Sequence, residues 1–251
     1  MLIGLTEAPS WGWSSTKFVA LLAAGAALLV AFAVVEVKIE RPLIDLRIGG
    51  KPVIVTCVAA FAVGWATYAV FLSIPTIVAA PPAAGYGLGG TAATAGLLLL
   101  PVGVVGAVAA TVTGRLERLL GSKTLMTLSC VPVVASSAIL FLARHDAVVL
   151  ALAAGLGGLG VGVGLTEAMN IVSSSVPAER LASASGFILI VRTVAGTLGA
   201  QVSGSVLASD LVPGTPLPTW GSFNATFVIA SAVGLLAIMA SLTLPRRLAA
   251  A

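Results

Sequence analysis

The sequence is short of charge. Asp, Glu, Lys and Arg make up 9% of its 251 residues, against about 25% in ordinary soluble domains. It contains one histidine, His145, and two cysteines, Cys57 and Cys130. His145 stands beside Asp146 in the short RHDA connector and reads as a solvated connector residue. Both cysteines fall inside apolar runs and read as buried thiols, not as a disulfide framework or a metal site. Paired carboxylates and metal-spaced His/Cys clusters are absent, which removes the material of acid–base and metal catalysis and argues against an enzyme and against a bound cofactor. The four lysines, Lys17, Lys38, Lys51 and Lys123, all lie at span ends or in loops, so a receptor built on an intramembrane Schiff base is excluded. The net charge is +4, but no basic patch interleaved with aromatics exists, so nucleic acid is not a partner. The N-terminal MLIGLTEAPSWGWSS lacks the basic start and long apolar stretch of a signal peptide. It reads as the tail of a span followed by a loop, as in a chain that begins partway through a larger protein.

What the chain has instead is apolar length. Hydrophobic residues are 59% of the sequence, mean hydropathy is +1.12, and runs near the roughly 20 residues that cross a bilayer core recur throughout. The sequence is that of an all-α integral membrane protein surrounded by lipid. Breaks at charge, Pro and Gly clusters predict seven spans, at 17–36, 52–79, 91–113, 124–143, 147–171, 182–208 and 223–244. Lys38, Arg41, Arg47, Lys51, Arg115, Arg118, Lys123, Arg180, Arg246 and Arg247 then fall on one side, and Lys17 and Arg144 on the other. Basic excess marks cytoplasmic loops, which predicts a multi-pass protein of the cell membrane with its N-terminus outside and its C-terminus in the cytoplasm.

Within the spans, Pro75, Pro101 and Pro132 stand one in each of three successive helices, bends that suit a moving transporter or a rigid bundle equally. The run GLGGLGVGVG formally contains G-x-G-x-x-G at Gly155, Gly157 and Gly160. It lies mid-span, without the strand, turn and helix context of a dinucleotide site. It reads as helix packing through two small-residue stripes, Gly158/Gly162/Thr166 and Gly160/Gly164/Ala168. The sixth span repeats the pattern with Gly196/Ala200/Gly204 beside Ala195/Gly199/Ser203. Arg192 interrupts the same span about ten residues from its start. An arginine at a helix centre costs roughly 2.5–3.5 kcal/mol on insertion scales and normally has a partner. Glu167, near the end of the preceding span, is the expected one. Two roles stay open for Arg192, a structural ion pair and a charge on a substrate path. Asn170, Thr166, Gln201, Thr67 and Tyr68 add polar positions suited to lining a cavity.

Several stretches together resemble the major facilitator superfamily, and within it the fourteen-span EmrB/QacA-type drug:proton antiporters. LTEAPSWGWSS is similar to an external loop between two extra central helices, and ERPLIDLRI to the segment leading into the C-terminal half. LLLLPVGVVGAVAATVTGRLERLLGSK resembles a span followed by the second-half copy of a cytoplasmic loop motif, here Gly114, Arg115, Glu117, Arg118 and Gly121. VPAERLASASGFILIVRTVAGTLGAQVSG resembles the penultimate helix with its Arg-x-x-Gly/Ala-Gly-x-x-Gly pattern at Arg192, Ala195, Gly196 and Gly199.

The resemblance implies that residues 1–51 supply an external loop, a linker helix and a connector, and that 52–251 form a six-helix transporter half built as a 3+3 inverted repeat. Tyr68 and Glu167 would then lie on the helices facing a central cavity. It further implies proton-driven export of small amphiphilic or cationic compounds by alternating access, with no cofactor, and a dependence on an N-terminal half or on a partner that supplies one. One departure stands out. The loop motif's aspartate position is Arg118 and the following arginine position is Leu119, leaving Glu117 as the substitute carboxylate.

Overall fold

The computed structural model describes residues 15–38, 50–142 and 144–244. They form seven α-helices: α1 (Thr16–Lys38), α2 (Gly50–Ala79), α3 (Ala92–Leu120), α4 (Ser122–Leu140), α5 (Ala147–Ser175), α6 (Leu181–Ser209) and α7 (Trp220–Ser241). Among the described residues, α2 to α7 are long and apolar enough to cross a membrane, whereas the apolar stretch of α1, Thr16–Leu28, is shorter. The seven expected spans are therefore six long ones and one shorter apolar helix. The expected external loop and connector at 1–14 and 39–49 lie outside the described residues.

Helix starts follow from local capping. The Asp146 carboxylate accepts from the Val148 and Val149 amides at 2.8 and 3.2 Å, and the Thr91 and Thr219 hydroxyls cap α3 and α7. Pro75, Pro101 and Pro132 all sit inside helices. The largest boundary difference is at α3, which continues to Leu120 rather than ending at 113, so the loop motif is helical through Arg118. Its RLERLL run consists of strong helix formers, and the stop comes only at Gly121. There φ 79° and ψ 152° occupy a region essentially restricted to glycine, and the chain turns from α3 into α4 on that single residue.

Packing gathers around α2, the most enclosed helix, which touches α3, α4, α5, α6 and α7. Its closest association is with α6, while α5 associates most closely with α3 and α4. Among α2 to α7, α3 and α6 are the least enclosed. The partners exchange in pairs: α2 takes α6 and α7, α5 takes α3 and α4, and α4 meets α7. The glycine stripes make the close approaches. A Cβ at Gly158 would lie 2.7 Å from Val102 Cα, and one at Gly162 would run into the Gly106 carbonyl of α3. Gly160 and Gly164 turn instead to Ser129 and Val133 of α4. Polar ties add to these contacts, with Ser136 donating to the Ala153 carbonyl at 2.6 Å and Ser241 to the Thr127 hydroxyl at 2.9 Å.

Candidate functional site

At the Gly121 end of the bundle, α3, α4 and α5 bring a polar cluster together. The Ser122 hydroxyl donates to Glu117 Oε1 at 2.9 Å, and the Asn170 amide donates to Glu117 Oε2 at 2.8 Å. Glu117 thereby ties the end of α3 to α5, although Arg118 and Leu119 replace the usual aspartate and arginine. Arg115 and Arg118 are exposed, and a Cβ on Gly114 would meet nothing within 4 Å. Glu167 is fully buried beside this cluster, with no hydrogen-bond partner for either oxygen.

The expected Glu167–Arg192 pair is not formed. Arg192 is half-buried, its Nε is buried without an acceptor, and it lines a crevice with Ala59, Val63, Met126, Gly164, Leu165 and Ala168. The reason is helical phase. Glu167 is one residue, about 100° of rotation, from Ala168, and it faces Glu117 and Ser122 rather than the crevice. Arg192 belongs to α6, which packs chiefly on α2, and its backbone carbonyl leaves no space for a side chain at Gly64.

The remaining candidates divide. Thr67 is buried and donates to its own helix at Val63 O, 2.5 Å away, and Thr166 likewise donates to Gly162 O at 2.9 Å. Tyr68 is 38% exposed, and its ring lies over Gly196, where a Cβ would stand 2.5 Å from Cδ2. Ala195, Gly196 and Gly199 are all buried against α2, and a Cβ at Gly199 would lie 2.7 Å from the Trp65 carbonyl oxygen. Gln201 is half-buried farther along α6.

Two features escaped the sequence reading. Phe61 and Trp65, with ring centroids 6.0 Å apart, precede Tyr68 on one helical face, continuing an exposed edge from Ile54 and Val58. The spacing 54, 58, 61, 65, 68 was the available signal. The second is an aromatic clasp at the opposite end, joining Tyr86, Phe141, Trp220, Phe223 and Phe227. Arg144 stacks over Trp220 at 5.2 Å, and the exposed His145 reaches the Gly87 carbonyl at 3.2 Å, so the RHDA connector is bound into this end. The clasp residues are scattered from 86 to 227, so no local pattern announced them.

The described residues thus combine six long apolar spans, a buried small-residue seam between α2 and α6, and a helical motif closed by a glycine joint. Residues 1–200 match the Major Facilitator Superfamily, as do 76–250. The chain belongs to that family. Among curated proteins it is similar to the multidrug resistance protein Stp of Mycobacterium tuberculosis, at 26% identity over 213 residues, covering 84% of this chain and 38% of Stp. An uncharacterized MFS-type transporter from the same organism is 27% identical over 217 residues, covering 82% of this chain and 31% of that protein. The chain spans about a third of the length of these relatives.

As a multi-pass membrane chain of the Major Facilitator Superfamily, it is not an enzyme. Among the described residues no group of three or more His, Cys, Asp or Glu is placed to hold a metal. The Arg192 crevice and a second one lined by Thr67, Phe71 and Ser136 each have room for about one water. Small-molecule sites occupy roughly 300–1,000 Å³, so neither crevice is a substrate site by itself.

The clasp yields a first prediction. Tyr86 is buried and donates its hydroxyl to the Pro218 carbonyl at 2.7 Å, and burial raises its phenol above the ordinary value of 10.0. Tyr86→Phe should cost about 1 kcal/mol at neutral pH. Because the folded protein holds the phenol proton more tightly, its contribution is complete below the ordinary value and is lost as pH rises past it. Thermal melts in detergent should therefore fall more steeply at alkaline pH for the parent than for the variant.

Proposed function

We propose that this chain is the C-terminal part of a fourteen-span EmrB/QacA-type drug:proton antiporter that exports amphiphilic or cationic compounds by alternating access. Residues 1–51 would contribute the external loop, linker helix and connector, and 52–251 the six-helix half, with the N-terminus outside and the C-terminus cytoplasmic. The observation that carries this reading is the paired exchange of packing partners. Swapping α2–α4 for α5–α7 returns the main contacts, α2·α6 for α5·α3 and α2·α7 for α5·α4, as expected of a 3+3 repeat. The edge of α2 that carries the half-buried Phe61 and Trp65 and the exposed Tyr68 would then border a cavity that a second half completes, and aromatic faces suit amphiphilic cations. The name of Stp supports the drug class, and the basic residues at the Gly121 end, Arg115, Arg118, Lys123 and Arg180, support the orientation.

With one wall only, the chain expressed alone in an efflux-deficient host is expected to leave drug accumulation at the level of the empty vector. Extrusion above that level would overturn the reading. A second reading, an assembly partner that pairs with a separately encoded half or with itself, is favoured by the open faces of α3 and α6. Cross-linking in detergent separates the two, since a strictly monomeric species counts against the partner.

A further inference from the structure

Arg192 holds a full positive charge inside an apolar crevice. Its guanidinium carries five N–H donors and no acceptor, and it does not lose its proton in proteins. The side chain is half-buried, its Nε is closed off from solvent, and that nitrogen meets no acceptor. Glu167, the carboxylate expected to pair with it, faces Glu117 and Ser122 instead. The crevice is walled by Ala59 and Val63 of α2, Met126 of α4, and Gly164, Leu165 and Ala168 of α5. Of these side chains only the methionine sulfur can accept a hydrogen bond, and weakly. All six residues lie inside helices, where main-chain carbonyls already accept the amides four residues on.

The crevice has room for about one water, yet water is poorly served there. A buried water takes two to four polar partners. The Nε–H supplies one, and a wall of alanine, valine, leucine and glycine offers nothing to the two O–H groups of the water. An anion reverses the balance. It only accepts, so the apolar wall leaves none of its groups unpaired, and its charge compensates the guanidinium through a charge-assisted hydrogen bond. A cation is repelled by the charge already present. Space limits the anion to one halide ion, or to one oxygen of a carboxylate whose remainder lies outside the crevice. That remainder has a way out, because α5 and α6 touch each other only lightly and Arg192 is itself partly exposed.

We propose that the Arg192 crevice is an anion-binding site, in which the Nε–H edge of the guanidinium grips a single acceptor, either a halide ion or one oxygen of a carboxylate. Binding makes and breaks no covalent bond. The carboxylate source rests on the efflux reading above and adds a substrate class to it, amphiphiles that carry a carboxylate. The halide source is independent of that reading.

Ligand-observed NMR on the full chain in nanodiscs of zwitterionic lipid tests it, with chloride and acetate as the probes. The parent should broaden the chloride resonance, transfer saturation to the acetate methyl protons, or do both. Arg192→Leu should weaken that binding roughly tenfold or more, the loss expected for a hydrogen bond to a charged group. Arg115→Leu, which removes an exposed charge elsewhere, should leave it unchanged. A difference between parent and Arg192→Leu seen with chloride alone assigns the halide source, one seen with acetate alone assigns the carboxylate, and one seen with both shows that the crevice selects by charge and size only. Equal signals from the parent and Arg192→Leu with both probes overturn the site. If Arg192→Leu is not recovered folded, Ala168→Val, which takes up space and leaves the charge, must weaken the same signals, and unchanged signals overturn the site. Failure of the two readings is distinguishable. Missing signals with drug export intact in a full-length relative sink this site alone, whereas intact signals without export sink the efflux reading alone.

Discussion

Gly162→Val is expected to prevent recovery of a monodisperse folded bundle, while Gly103→Val leaves it essentially unchanged. Both substitutions add the same three carbons to a glycine of an apolar helix, so neither composition nor propensity separates them. Geometry does. A side chain at Gly162 runs into the backbone carbonyl of Gly106, and its neighbour in the stripe, Gly158, meets the Val102 backbone. Backbone does not rotate aside as the tip of a flexible side chain does, so α3 and α5 must separate along the seam. Overpacking costs typically 1–3 kcal/mol and occasionally more; a clash with main chain at a principal helix contact belongs at or above about 3 kcal/mol. Gly103 lies on the exposed side of α3, where an added Cβ meets nothing within 4 Å, and valine there only replaces one apolar surface by another. Fluorescence-detected size exclusion and thermal melts in detergent distinguish the two. Equal losses would show that the glycine run matters for something other than the α3–α5 approach.

Arg192→Leu is expected to stabilise the bundle by about 1–3 kcal/mol, the opposite of what a bracing ion pair would give. The range starts from the roughly 2.5–3.5 kcal/mol insertion cost of a central arginine and is lowered because Arg192 is only half-buried and able to snorkel. The argument is the crevice itself. Its named neighbours are alanine, valine, leucine, methionine and glycine, and the buried Nε has no acceptor. Leucine fills similar space without the unpaired donor. Arg192→Lys retains the charge and should fall close to the parent. Unfolding titrations in detergent provide the measurement, and a loss of stability with leucine would restore the bracing role. On the reading that Arg192 lies on the substrate path, the same leucine change in a full-length relative should impair export from a protein that folds well.

How much of this was legible in the sequence depended on whether a property is local. Span existence was legible because crossing a bilayer requires about 20 apolar residues in succession, and α2, α6 and α7 run close to their expected limits. The glycine stripes were legible as packing faces because i, i+4 spacing fixes a helix face before its partner is known. The end of α3 was not, since the charged residues that suggested a loop are also good helix formers and Gly121 alone makes the stop. The pairing of Glu167 with Arg192 failed for a related reason. Sequence depth along two spans says that charges lie at similar heights, but it does not give the rotation of each helix, and about 100° on α5 separates the two environments. The Tyr86–Trp220 clasp depends on contacts between segments more than a hundred residues apart, which no local spacing encodes.

The exchange of partners between α2 and α6 also has a consequence in time. Tyr68 and the Gly196 that its ring covers are 128 residues apart in the chain. At roughly 5–20 residues per second of synthesis, α2 exists for about 6 to 26 seconds before the helix that fills its principal face has been made. For that interval the small-residue seam has no counterpart, and α3, α4 and α5 are all threaded in between. The α2 side of the bundle therefore closes late, once α6 and then α7 have been made, and a ribosome halted after α5 would leave the central helix without its closest neighbour.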